Sequence, residues 1–385
     1  MISLVLPTYN EAASIREVLQ RASDALRATG EEFELIVVDD SSPDGTAELA
    51  EALASQLPVR VVRRPGRGGL ALAVVDGWKV ARGDVVGVMD ADLQHPPEVL
   101  TRLVAALSSQ RVDLVIASRS GSGGASADWS WTRRLTSWLA THLAACVLPW
   151  TLAEVRDPMS GMFLVRRRAL EGVRLEPTGY KILLEVLAKG AYDQFIEVPY
   201  RFEPRDRGSS KLGTRQALEY VLHLARLARC TGQLQTWARY ATVGFSGAAV
   251  DVGLCVFLVQ QMGWPVALAL AAAIQVALLS NFLWNRVLTF RGVPFSPGHR
   301  TRTSARLFQY EKVCLPGAIL NTSLTLVFHW QGVALSVASA AGVMFGGAWN
   351  LLFNVPSIWR TWGPRSSRRE EAVQASVRPV GSARL

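Results

Sequence analysis

The sequence predicts a Rossmann-like α/β domain built on a mostly parallel sheet, followed by an α-helical domain of four transmembrane spans. Three observations carry that reading. Short, continuously apolar segments alternate with helix-patterned ones through the first 115 residues, the pattern of strands buried on both faces. Polar motifs follow the ends of those strands rather than interrupting them. Acidic residues then almost vanish, with only Asp251 and Glu311 between 237 and 360.

Taken in order, Ile2 to Leu6 is a short buried strand, and Glu11 to Thr29 has helical apolar spacing through Ile15, Val18, Leu19, Ala22 and Leu26. Glu34 to Val38 is the next strand and Thr46 to Leu57 the next helix. Val59 to Arg63, Val85 to Met89 and Leu114 to Ser118 complete the strands, with helices over Leu70 to Ala81 and Pro97 to Leu107 between them. Ligands of such sheets bind beyond the C-terminal strand ends. The segments there are Pro7-Thr8-Tyr9-Asn10-Glu11, Asp39-Asp40, Asp90-Ala91-Asp92 and Ser118-Arg119, so four motifs converge on one edge.

From 125 to 150, Trp129, Trp131, Trp138 and Trp150 stand beside Arg133 and Arg134. That composition suits a helix lying in a membrane interface, or a core helix with a charged face. Residues 211–236 repeat the theme, with Leu218, Val221, Leu222, Leu224, Ala225 and Leu227 among Lys211, Arg215, Arg226 and Arg229. Four apolar spans follow at 240–260, 264–284, 313–330 and 333–355, each near the roughly 20 residues that cross a bilayer. The link 285–312 and the segment after 359 are rich in Arg, whereas Gln260–Gly263 and His329–Gly332 contain no Lys or Arg. That asymmetry predicts a multi-pass membrane protein whose two ends, and with them the α/β domain, are cytoplasmic. The expected setting is the cell membrane of a prokaryote. The domain plan is therefore 1–213 for the α/β domain, 214–236 for an interface helix region, 237–360 for the transmembrane domain and 361–385 for a basic, disordered tail.

The chain carries 41 Lys and Arg against 32 Asp and Glu, a formal charge of +9. Arg beside apolar spans marks a cytoplasmic membrane face, and no RNA- or DNA-binding motif accompanies it, so the expected partner is a lipid bilayer and not a nucleic acid. Cys146, Cys230, Cys255 and Cys314 form no CxxC pair, which argues against a zinc site or a disulfide framework. The opening Met1-Ile2-Ser3-Leu4 starts a strand with no basic region or cleavage site, so no signal peptide is expected.

Asp90 and Asp92 leave the buried strand Val85-Val86-Gly87-Val88-Met89. Two carboxylates one residue apart converge on a hard cation where the strand ends in a turn. Mg²⁺ or Mn²⁺ prefers oxygen ligands, binds substrate phosphates as well, and neutralises charge on a departing nucleoside diphosphate. Gln94 is a further candidate ligand oxygen. Asp39 and Asp40 end another strand and suit a nucleobase or ribose. Asp44 and Thr46 after them are either part of that site or helix-capping residues.

Together these motifs resemble glycosyltransferase family 2, and within it the dolichyl/polyprenyl-phosphate mannose synthases. Further matches are Ser118-Arg119, Asp157-Pro158-Met159-Ser160-Gly161-Met162-Phe163, Gly179-Tyr180-Lys181-Ile182, Glu185-Val186, Val198-Pro199-Tyr200, Arg205 and Gly208-Ser209-Ser210-Lys211-Leu212-Gly213. The apolar half resembles the GtrA-like membrane domain through Asn281-Phe282-Leu283-Trp284-Asn285-Arg286-Val287-Leu288-Thr289-Phe290. The resemblance implies a GT-A fold, GDP-mannose as donor and dolichyl or polyprenyl phosphate as acceptor. It implies a donor site of Pro7, Tyr9, Asn10, Glu11, Asp39, Asp40, Asp90, Ala91, Asp92, Arg205 and Lys211, with the metal on Asp90, Asp92 and Gln94. Arg119 and Arg133 would meet the acceptor phosphate, and Asp92, Arg119, Arg205 and Lys211 would carry the chemistry. Arg suits phosphate because it binds bidentately, although Arg133 also fits a role as a snorkelling interface residue. Arg67-Gly68-Gly69-Leu70-Ala71 and Trp138 depart from the family pattern, which commonly has a Lys in that loop and an Arg at the second position.

No dedicated base is required, because a phosphomonoester with a second pKa of about 6 is already ionised and its oxygen attacks the anomeric carbon directly, inverting it. Two other readings stay open: a UDP-sugar donor of glucose type, and a non-enzymatic translocator of the lipid carrier. Within the spans, Asp251 is either a functional group or a structural one, while Asn281, Asn321, Asn350 and Asn354 suit interhelical hydrogen bonds.

Overall fold

Five strands form as the sequence predicts, β1 (Ile2–Thr8), β2 (Phe33–Asp39), β3 (Val59–Arg63), β4 (Val85–Val88) and β5 (Leu114–Ser118), all largely buried except the edge strand β3. Two more, β6 (Phe163–Arg166) and β7 (Phe195–Pro199), complete a seven-stranded sheet of order β3-β2-β1-β4-β6-β5-β7 in this computed structural model. It describes residues 1–109, 112–119, 131–149, 151–152, 154–177, 180–203, 214–289 and 303–358. Only β6 runs against its neighbours; the other strands are parallel.

Helices α1 (Ile15–Arg27), α2 (Thr46–Ala52), α3 (Leu70–Val80) and α4 (Val99–Ser109) cover this sheet. Along α1 the buried set Ile15, Val18, Leu19, Ala22 and Leu26 keeps helical spacing and packs on Leu4, Leu6, Leu35 and Val37. Burial of each such side chain stabilises the fold by roughly 1.5–3 kcal/mol. On α3, Gly77 lies so close to Val5 and Val38 that a Cβ there would overlap both. Then come α5 (Trp131–Val147), α6 (Ile182–Lys189) and α7 (Thr214–Cys230). Helix α7 buries Tyr220, His223, Leu224 and Leu227 while Leu218, Val221 and Leu222 stay exposed, so both of its faces are apolar. On α5, Trp131, Trp138 and Leu139 are exposed in the same way.

The described residues divide into two compact units, Met1–Thr141 with Val155–Leu227, and His142–Glu154 with the residues from Ala228 onward. The second is helical: α8 (Gln233–Gln260), α9 (Val266–Trp284), α10 (Thr303–Trp330) and α11 (Leu335–Ile358). Four stretches are long and apolar enough to cross a membrane, Gln233–Gln260, Val266–Thr289, Ser304–Trp330 and Leu335–Phe353. Within this unit the Asn321 amide donates to Asp251 at 2.9 Å, both buried, and Thr325 donates to Asn321. Gly342 admits that Asn321 side chain, because a Cβ at 342 would overlap it. Asn321 and Asp251 thus link α10 to α8 by a hydrogen bond, as expected of polar groups at membrane depth.

Candidate active site

The C-terminal strand ends open into three turns held in an uncommon backbone conformation. Asn10, Ser41 and Leu93 have φ of 58°, 59° and 60°, and they follow β1, β2 and β4 respectively. A non-glycine residue there costs on the order of 1 kcal/mol and persists only where its surroundings fix it. Here the fixing is visible. Thr8 stands opposite Asp39 in the register, so the first two turns leave the sheet side by side. Ser42 Oγ accepts from the Asn10 backbone N–H at 2.9 Å and donates to Asp39 Oδ1 at 2.6 Å. Thr46 Oγ1 accepts from Glu11 N–H at 2.9 Å, and Asp44 accepts from Ala12 N–H and Thr46 N–H at 3.0 and 3.1 Å. Asp44 and Thr46 therefore lace one turn to the other, while Gly45 occupies the capping position of α2.

Asp39 is buried and accepts from Thr8, from the Ser42 hydroxyl and from the Ser42 N–H. Asp40 is buried as well and turns to the loop after β3, accepting from Arg64 and from the N–H groups of Gly68 and Gly69. That loop, which departs from the family pattern, lays the Arg67 guanidinium over the Tyr9 ring at 4.1 Å. The Arg67 guanidinium and the Tyr9 ring thus stack on each other as a cation–π pair.

After β4, the turn with Leu93 at its centre presents Asp90 and Asp92. Asp92 Oδ1 accepts from the Gln94 N–H at 3.2 Å, and Ser14 donates to the Ala91 carbonyl at 2.8 Å, tying the motif to the start of α1. The Gln94 side chain is buried, and its amide nitrogen donates to the Glu203 carbonyl at 3.4 Å. His95, also buried, faces Asp90 Oδ2 through Nε2 at 3.4 Å and meets the Tyr200 hydroxyl through Nδ1 at 2.8 Å. The other carboxylate oxygen, Asp90 Oδ1, is buried without a hydrogen-bond partner among the described residues. Burial opposes the charge on Asp90, yet the His95 hydrogen bond and the nearby charges of Lys181 and Arg119 hold its carboxyl below the usual carboxylate range.

Gly161, before β6, lies against this carboxylate; a Cβ there would overlap Asp90 Oδ2. Four residues earlier in the same loop, Asp157 takes Arg119 in a two-pronged ion pair, Nε to Oδ2 at 2.8 Å and Nη2 to Oδ1 at 2.7 Å, and also accepts the Arg119 backbone N–H. Lys181 donates to the carbonyl of Met159 between them at 2.9 Å. Burial, followed by repulsion from Arg119, outweighs the pull of Asp90, Asp157 and Asp92 and pushes the Lys181 ammonium down to about 8.

The structure thus gathers Pro7, Tyr9, Asn10, Glu11, Asp39, Asp40, Asp90, Ala91, Asp92, Gln94 and Arg119 along one sheet edge. Arg205, Lys211 and the rest of 204–213 lie outside the described residues, as do Trp129, Trp150 and the tail 361–385; Arg133 falls on α5, with its side chain outside them, and the Asn354 side chain is outside them too. Tyr200, Gly161 and Lys181 join the site without having been assigned a role there from sequence, as does His95, which in sequence leans only toward a mannose donor. Tyr200, Gly161 and Lys181 lay within motifs of the resemblance and His95 follows Gln94 directly, but only the fold shows what they touch.

The profile of glycosyl transferase family 2 matches residues 3–174, and that of the GtrA/DPMS transmembrane domain matches residues 239–359. The chain is 37% identical over 360 residues to dolichol-phosphate mannosyltransferase of Pyrococcus furiosus, across 94% of this chain and 99% of that protein. It is 34% identical over 228 residues to undecaprenyl-phosphate mannosyltransferase of Micrococcus luteus, across 58% of this chain and 91% of that protein. Among solved structures, glucosyl-3-phosphoglycerate synthase from Mycobacterium tuberculosis, in complex with Mn²⁺, UDP-glucose and phosphoglyceric acid, matches with a TM-score of 0.46 at 26% identity, covering 59% of this chain and 79% of that one. A seven-stranded α/β unit with this strand-end site, joined to four apolar helices, therefore belongs to glycosyl transferase family 2 and, within it, to the family of the dolichol-phosphate mannosyltransferases.

Proposed function

We propose that this enzyme transfers mannose from GDP-mannose to a dolichyl or polyprenyl phosphate, with inversion at the anomeric carbon and with Mg²⁺ or Mn²⁺ held by Asp90 and Asp92. The observation that carries the reading is Asp90 Oδ1, buried at the parallel-sheet edge without a hydrogen-bond partner among the described residues, in a chain whose relatives are dolichol-phosphate and undecaprenyl-phosphate mannosyltransferases. A buried carboxylate oxygen without a donor is costly, and a divalent cation resolves that cost. The described residues contain no group of three or more His, Cys, Asp and Glu side chains suited to a metal. Two carboxylates, the Gln94 carboxamide and substrate phosphates fit Mg²⁺, which keeps few protein ligands. When bound, such a cation supplies Lewis-acid stabilisation of the charge growing on the leaving diphosphate.

The chain's own residues do the rest. Tyr9 and Arg67 offer a stacking edge to the base, and Arg119, fixed by Asp157, adds positive charge where phosphates meet. The acceptor phosphate is ionised near neutral pH, so positioning and electrostatics supply the catalysis without a triad. The exposed apolar faces of α5 and α7 suit contact with lipid.

Membranes carrying the protein, incubated with labelled GDP-mannose or UDP-glucose and a polyprenyl phosphate, test the proposal. The expected product is a mannolipid from GDP-mannose, abolished by EDTA and restored by Mg²⁺ or Mn²⁺, with Asp90→Asn slower by at least roughly a hundredfold. Product from UDP-glucose alone overturns the donor assignment, and EDTA-insensitive transfer overturns the metal.

A further inference from the structure

Lys181 carries a charge that the described fold leaves without an ion-pair partner. Its ammonium is half-buried just before α6 and donates to one carbonyl, that of Met159. Among the described residues no carboxylate oxygen comes within ion-pair distance of it, although Asp90, Asp92 and Asp157 all attract it from further off. Arg119 differs, since its charge is matched directly by Asp157. Both cations converge on one loop: Asp157 binds Arg119, Met159 binds Lys181, and Gly161 packs on the Asp90 carboxylate. Holding two like charges beside each other, one of them unpaired and largely removed from water, is unfavourable unless an anion arrives between them. Next to a carboxylate pair suited to a metal, the anion that fits is a phosphate, which accepts from an ammonium as a point charge and from a guanidinium through its planar edge.

We infer that Lys181 binds a phosphate group of a substrate, either the diphosphate of the nucleotide sugar or the monophosphate of the prenyl acceptor. The inference rests on the proposed substrates, and it names a ligand for them beyond Arg119, Arg133, Arg205 and Lys211. Its rival is that Lys181 only braces the 157–161 loop through Met159.

Three substitutions in the full-length protein, purified in detergent, separate these possibilities. Lys181→Gln keeps an N–H donor for Met159 but removes the charge, Lys181→Met removes both, and Lys181→Arg keeps the charge. The readouts are the dissociation constant of GDP-mannose without acceptor, the KM of each substrate and the thermal midpoint. Lys181→Gln and Lys181→Met are expected to weaken one substrate roughly ten- to a hundredfold, with Lys181→Arg recovering much of the loss. A raised GDP-mannose dissociation constant assigns Lys181 to the donor diphosphate; a raised KM for polyprenyl phosphate alone assigns it to the acceptor. The inference is overturned if Lys181→Gln restores wild-type constants that Lys181→Met loses, or if neither variant changes the affinity for either substrate. Wild-type protein that binds only a UDP-sugar instead overturns the donor reading, and the same variants measured with that donor still decide the role of Lys181.

Discussion

His95 sits between two groups that fix where its proton lies. Nε2 faces the Asp90 carboxylate at 3.4 Å and Nδ1 faces the Tyr200 hydroxyl at 2.8 Å, a geometry that suits an Nε2–H donating to Asp90 while Nδ1 accepts from Tyr200. Burial pushes the Tyr200 phenol far above its usual range, so it remains a donor. The chain Tyr200–His95–Asp90 therefore fixes the orientation of the Asp90 carboxylate, whose Oδ1 is buried without a hydrogen-bond partner among the described residues. Groups that orient a metal-binding carboxylate in this way are typically worth ten- to a hundredfold in metal affinity. His95→Asn, whose amide reaches only the Nδ1 position, is expected to weaken Mn²⁺ binding roughly tenfold, while His95→Gln, with a donor near the Nε2 position, retains most of it. Mn²⁺ titration followed by electron paramagnetic resonance measures this directly, and equal affinity in His95→Asn and wild type would show that Asp90 needs no such support. The two aspartates were legible in the sequence because they follow an apolar strand that ends at a ligand-binding edge. Tyr200 was not, because it lies 105 residues away and reaches His95 only once β7 has joined the sheet.

At the scale of elements, the same distinction holds between local pattern and long-range pairing. The strands β1, β2, β4 and β5 were readable because each is a largely apolar run bounded by turn residues, and β3 because its valines stand between the helices on either side. Strand β6 is four residues long, too short to show a period, and it is specified by wedging antiparallel between β4 and β5. The alternating exposure of β7 at the sheet edge hid it similarly. Helix α7 shows how an amphipathic pattern conceals a polar lock. The fully buried Glu185 of α6 meets Lys189 on its own helix at 2.8 Å, and His223 at 3.2 Å and Arg226 on α7. Burial alone would raise its carboxyl, but hydrogen bonds from His223 and Lys189 and the nearby charges overcome this and hold it at about 2, against an ordinary 4.5. A carboxyl ionised in the native state but protonated in the unfolded one makes acid favour unfolding, so this contribution is complete above pH 4.5 and is lost as pH falls towards 2. Glu185→Gln strands the cations of Lys189 and Arg226 and is expected to cost roughly 3 kcal/mol at neutral pH. Thermal unfolding of both proteins across that acid range should show the gap between them closing as pH falls; a constant gap would mean that the carboxylate charge contributes nothing.

For the whole molecule, the decisive question is which side of the membrane holds the proposed nucleotide-sugar site, and the charge pattern makes a prediction. The four spans of 28, 24, 27 and 19 residues are each long enough for a bilayer core, since 19 residues of helix rise about 29 Å. An even number of crossings returns the chain to the side from which it started. The two short links, Gln261–Pro265 after α8 and Gln331–Ala334 after α10, contain no Lys or Arg, whereas Arg286 and Lys312 lie towards the opposite ends of the neighbouring helices. Cationic loops are retained in the cytoplasm, so the charge pattern predicts that both links face outward and that the α/β unit faces the cytoplasm. Single cysteines placed by Gln261→Cys and Gln331→Cys, at exposed positions in a background with the four native cysteines replaced, should react with a membrane-impermeant maleimide on intact cells. Ser304→Cys, at the start of α10, should react only after the cells are opened. The reverse pattern would put the Asp90 and Asp92 edge outside the cell, away from cytoplasmic nucleotide sugars. It would remove the donor assignment together with the topology, because a GDP-mannose site is useful only where GDP-mannose is present.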